Sequence, residues 1–315
     1  MNIAEMSTML VWGAATAYAI ALVSFTMLLA RKADAGVAAR QAAVVGAGAP
    51  APGAVDLDPA SPTPGRAKAE GIARSTVLVG LALHAGAVVT RGIAAGRAPW
   101  ANLYEFVLVG ALVAVLVLVA LERRRTIPFL GTAVMGIVVL FLAVAQVNFF
   151  VPADGVQPAL QSYWLVIHVG VAVIATGVFT VGFVTSVLQL LRAGRARGGA
   201  LASPRWGWLA TTPGVGALES LAFRLNAVGF VLWSFTLVAG AIWAEHAWGR
   251  YWGWDPKEVW TFVIWVVYAG YLHARTTRGW AGARAAWLVV VAYVCVIINF
   301  TLVNLLFPGL HTYAT

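Results

Sequence analysis

Charged residues make up only 10% of this 315-residue chain, too few to cover the surface of a water-soluble protein of that length. Cysteine is nearly absent. The single Cys295 excludes an intrachain disulfide, a CxxC pair and a thiolate metal cluster, and inside an apolar run it reads as a small buried hydrophobe. Lys and Arg are missing from "MNIAEMST" ahead of the first apolar run, while Arg31 and Lys32 follow it. A secretory leader carries its charge in front, so the run is expected to stay as a span with its N-terminus outside. A net charge of +9 is compatible with nucleic acid, but the basic residues are scattered over short connectors and form no patch, which excludes that partner. No internal repeat is visible, so the usual pointer to an inverted-repeat transporter is absent too.

What remains is apolar: 61% hydrophobic residues and a mean hydropathy of +0.84. This implies an all-α polytopic protein of the lipid bilayer, because only helices satisfy their backbone within a single membrane segment. At about 20 residues per crossing, eight spans are expected, near 8–30, 75–95, 103–121, 127–147, 162–190, 222–243, 257–274 and 286–307. With the N-terminus outside, 17 of the 21 Lys and Arg fall on one side and only Arg91, Arg97, Arg250 and Lys257 on the other. The Lys/Arg-rich side is therefore cytoplasmic, and both termini are extracytoplasmic in the cell membrane. The chain divides into a first transmembrane helix (1–32), a flexible cytoplasmic linker (33–74, Ala/Gly/Pro-rich and poor in aromatics) and a seven-span domain (75–315).

Ionisable residues at membrane depth are functional candidates by default. Five histidines are present. His168 lies roughly 9 Å into the fifth span and His311 just beyond the last, both toward the outside. His84 is near the middle of the second span, and His273 is roughly 25 Å down the seventh, near the inner face. His246 falls in an outer loop and is assigned no role. Between the outer histidines in depth lies "AWGRYWGWDPKEVW" (247–260), with four tryptophans and two glycines. Scattered tryptophans are ordinary at membrane interfaces, but Trp243, Trp248, Trp252, Trp254, Trp260 and Trp265 fall within 23 residues. Asp255, Pro256 and Glu258 read as N-cap, N1 and N3 of a helix, with Asn102 and Glu105 a weaker version. Capping leaves "WGRYWGW" unexplained. Two neutral imidazoles, a flat aromatic floor and a nearby cation, Arg250 or Lys257, suit haem, with its iron held axially and its propionates paired. Zinc suits less well, since no HExxH or cysteine cluster is present.

"WAEHAWGRYWGWDPKEVW" (243–260) resembles the tryptophan-rich WWD signature of haem-handling proteins. "GRAPWANLYEF", "LESLAFRLNAVGF", "YLHARTTRGWAGARAA" and "FPGLHTYA" are similar to the CcsA/ResC branch of System II cytochrome c biogenesis. The resemblance runs from about residue 75 onward. It implies a protein that carries haem b to the outer face and, with a ResB/Ccs1-type partner, attaches it to the CxxCH thiols of apocytochrome c. It assigns His168 and His311 as outer iron ligands, Trp248, Trp252, Trp254 and Asp255 as the haem surface, and His273 as an inner ligand. The mate of His273 is His84 or a residue of the partner. A haem loader of the CcmC kind and a small-solute transporter are the alternatives. Catalysis would rest on positioning, no general base being evident.

Overall fold

The computed structural model describes residues 2–46, 64–123, 126–155 and 162–311, and within them the fold is helical with no strand. Its helices are α1 (Ile3–Gly46), α2 (Pro64–Ala95), α3 (Leu103–Leu121), α4 (Pro128–Asn148), α5 (Tyr163–Arg197), α6 (Val215–Trp248), α7 (Pro256–Thr277), α8 (Ala283–Phe300) and the short α9 (Leu302–Leu306). Two 3-10 turns at Gly199–Ala202 and Pro204–Thr211 link α5 to α6.

Seven of the described helices are long and apolar enough to cross a membrane, and the chain is a multi-pass membrane protein. The expected seventh span, α7, is not among them. Its 22 residues give about 33 Å, a crossing length, but Trp, Tyr, His273 and Arg275 dilute its hydropathy. Both ends of the expected linker are helical. Residues 33–46 continue α1 and 64–74 open α2, because alanine is the best helix former and Pro64 takes the first helical position, where its missing N–H costs nothing. The middle of that linker, 47–63, lies outside the described residues, as do Arg124, Arg125 and the "TYAT" ending.

Two cores hold the bundle. One joins α1 to α4 with part of α5 around Tyr18, Phe25, Leu108 and Leu130; the Phe25 ring lies where a Cβ on Gly131 would sit, the close helix approach that small residues permit in lipid. The other joins α3 and α5 to α8, with Phe179 stacked on Tyr268 at 3.8 Å and Trp233 beside them. Large apolar side chains such as Met9, Val79, Leu140 and Val231 point outward, as a lipid-facing surface requires.

Candidate functional site

At the end of the bundle where α5 and α7 begin and α6 and α8 finish, the helices diverge around a cleft of about 1120 Å3, its open mouth included. It is lined by His168, Trp243, Trp248 and His311 from α5, α6 and the segment after α9, by Trp100 ahead of α3, and by Phe106, Lys257, Glu258, Asn299, Phe300 and Asn304 from α3, α7, α8 and α9.

His168 and His311, 143 residues apart in sequence, both line this cleft and both lie against Trp243. The His168 ring stacks on Trp243 at 6.0 Å and 9°, and the His311 ring lies 5.6 Å from the same indole and 5.1 Å from Trp248. Each imidazole is fixed through Nδ1. That of His168 donates to the Thr236 carbonyl at 2.9 Å. That of His311 donates to Asp255 Oδ1 at 2.8 Å. Such a bond on one ring nitrogen sets the tautomer and leaves the lone pair on Nε2, the arrangement by which proteins orient histidine ligands. Gly240 makes the first geometry possible: the His168 ring packs so tightly on α6 that a Cβ at Gly240 would lie 2.6 Å from its Cε1.

Asp255 has a double role that the capping pattern only half reveals. Its Oδ1 accepts from the Lys257 amide at 3.0 Å, and Glu258 Oε2 accepts from the Asp255 amide at 3.1 Å, completing the capping box. Its carboxylate also accepts from the Leu310 amide at 2.6 Å and orients His311. Burial pushes the carboxyl pKa up, but the His311 bond and charge and the two amides outweigh it and hold the group below its usual value. Gly309 passes so close to Asp255 that a side chain there has no room.

Trp248 and Trp252 line the cleft. Trp254 does not; it is 77% exposed, edge-on to Trp252 at 5.7 Å, with a left-handed φ of 59°. Of the two expected cations, Lys257 lines the cleft, its Nζ 3.0 Å from the Asn299 carbonyl and 5.0 Å above the Phe300 ring, whereas Arg250 folds over Gly253. His246 bonds the Ile242 carbonyl and Glu245 on the surface. The two inner histidines are not brought together. His84 is fully buried against Tyr18 (3.3 Å from the hydroxyl), while His273 is exposed on α7 and bonded to Thr277.

Sequence reasoning missed one feature of the rim. Glu105, fully buried, receives the Asn102-capped start of α3 and also pairs with Arg91 at 2.8 Å and Arg97 at 2.6 Å. Arg91 is itself buried, lying 5.1 Å from the Tyr104 ring centre. The Ala101 amide bonds the same carboxylate, which fixes the turn carrying Trp100 into the cleft. Their signal was present: two arginines on the side otherwise nearly bare of positive charge.

Among the described residues no three His, Cys, Asp or Glu side chains gather as a cluster-type metal centre. Two imidazoles beside aromatic walls suit instead the axial ligation of a planar macrocycle.

The family model described as cytochrome C assembly protein matches residues 100–311. The cytochrome c biogenesis protein CcsA of Synechococcus sp. (strain CC9902) is 35% identical over 263 residues, covering 77% of this chain and 86% of that protein. The CcsA of Guillardia theta is 33% identical over 238 residues, covering 71% and 79%. Among solved structures, the cytochrome c haem lyase CcmF matches 95% of this chain with a TM-score of 0.63 and 16% identity; this chain spans 47% of that protein, and the likeness is one of fold.

Proposed function

Since the chain belongs to the cytochrome c assembly protein family, we propose that it holds haem in the outer cleft and presents it for covalent attachment to apocytochrome c. Haem is substrate and cargo here, not a resident cofactor. The observation that carries the reading is the pair His168 and His311, each fixed through Nδ1 and both in contact with Trp243 in one cleft. Their Nε2 atoms ligate the iron, and the Trp248 and Trp252 faces pack on the macrocycle.

Lys257 and the buried, unbonded donors Trp100 Nε1 and Asn304 Nδ2 suit the propionates, since carboxylates want charge-assisted donors in a dry site. The histidine of an incoming CxxCH segment replaces one protein ligand, which brings its two thiols beside the vinyl groups. Holding the reactants so replaces a bimolecular encounter with an oriented one.

A ResB/Ccs1-type protein completes the machine. His273, exposed on α7 and away from His84, takes haem at the inner face with a second ligand from that partner. The outer cleft faces the extracytoplasmic side of the cell membrane.

His168→Ala and His311→Ala proteins, purified in detergent, should each lose the outer-haem Soret band and fail to mature a cytochrome c reporter. Two variants with unchanged spectra and normal maturation would overturn the assignment.

A further inference from the structure

One acidic side chain that lines the cleft has no counterpart in haem. Glu258 Oε2 is occupied twice, accepting from the Gly253 amide at 2.7 Å and the Asp255 amide at 3.1 Å. Its Oε1 is buried and without a hydrogen-bond partner, in a side chain that lines the cleft. A carboxylate oxygen shut away from water without a donor is costly, so the full assembly is expected to bring it one. The vinyl and methyl edges of haem offer none, and its propionates are themselves acceptors. The second substrate does offer one: the thiol S–H of the CxxCH segment.

Resting on the function proposed above, we infer that Glu258 is the proton-transferring catalytic residue of thioether formation. Oε1 takes the thiol proton as the S–H bond breaks. The sulfur then bonds to the vinyl carbon next to the ring, while the same carboxyl delivers the proton to the terminal vinyl carbon. One S–H bond and one C=C π bond are lost, one C–S and one C–H bond are formed, no electron leaves or enters, and Glu258 ends as it began. Its other oxygen, pinned by two backbone amides, keeps the acid aimed while the proton moves, the positioned general acid–base arrangement worth ~10²–10⁴ in rate.

The test is Glu258→Gln in the full-length chain, in membranes that carry a CxxCH cytochrome reporter. The glutamine carbonyl can still accept from Gly253 and Asp255, so the cap survives. Expected are an unchanged Soret band in the purified variant, a spectral shift when a CxxCH peptide is added, and thioether formation slowed about a hundredfold or more. Glu258→Asp should recover part of that rate. Wild-type thioether formation by the glutamine variant overturns the inference, as does an aspartate variant no faster than glutamine. Loss of haem from the glutamine variant would reduce Glu258 to a cap and overturn it too. A wild-type protein that binds no haem would instead sink the parent proposal.

Discussion

The carboxylate of Asp255 and the imidazole of His311 meet at 2.8 Å across 56 residues of sequence, and the same carboxylate caps α7. The start of α7 is thereby tied to the orientation of a proposed iron ligand. Asp255→Asn separates the cap from the hold on the 309–311 turn that carries His311. An asparagine oxygen still caps the Lys257 amide, but the amide nitrogen that replaces the second oxygen repels the Leu310 N–H and can no longer hold the 309–311 turn. Outer-shell partners of this kind are worth about 10- to 100-fold in metal affinity. Titrating the purified variant with haem should show a loss of that size with helical content unchanged. Affinity equal to wild type would mean that His311 is held without the Asp255–Leu310 bond.

Gly240 and His168 give a second handle. Glycine within a helix costs roughly 1 kcal/mol relative to alanine, so Gly240→Ala should stabilise α6 taken alone. The added Cβ would meet the His168 ring, which lies against the helix at this point. A fully folded protein with a weakened or shifted Soret band is the expected outcome. Normal haem binding would show that the ring has room to move.

The helical membrane class and the cap at Asp255–Glu258 were legible because they rest on local rules: apolar length and the reach of a side chain to amides two or three residues away. The approach of His168 to His311 was legible only as a shared depth. Depth is one coordinate, and what closes the remaining distance is Gly240, which lets α5 and α6 bring His168 against Trp243, together with the Asp255–Leu310 bond. His84 and His273, which the same reasoning sets at different depths, lie on separate helices with separate partners. The low hydropathy of α7 has a cause in packing: its interior face is made of Ile264, Tyr268 and Tyr271, which pack against the bundle and need not be as apolar as a lipid-facing stretch. At the ends of the linker alanine acts in two ways, because the residues that leave a segment without a core are also those that extend a helix.

Glu105 holds two guanidiniums in a site where it and Arg91 are both nearly closed to water. Removing one member of a buried ion pair costs more than the pair contributes, because the remaining charge stays desolvated, about 3–5 kcal/mol. Glu105→Ala should therefore lower the thermal unfolding midpoint in detergent and free the Ala101 amide, loosening the turn that presents Trp100. Replacing Arg91, Arg97 and Glu105 together by apolar residues should restore much of the midpoint. A single Glu105 variant as stable as wild type would mean that water reaches the cluster.

Trp254 separates the tryptophans that face the cleft from the one that does not. It is the only described non-glycine residue with positive φ, and it exposes most of its ring. A bulky side chain held in that region costs of order 1–3 kcal/mol, which glycine would relieve while losing only the edge contact with Trp252. Trp254→Gly should therefore match or exceed wild-type thermal stability and keep haem. Trp248→Ala, which removes a wall of the cleft and the edge packing on Trp243 and His311, should lose it. A Trp254 variant that retains haem but no longer matures cytochrome would move this residue to the docking of the apocytochrome. One that loses haem outright would return it to the haem surface, where the sequence motif alone puts it.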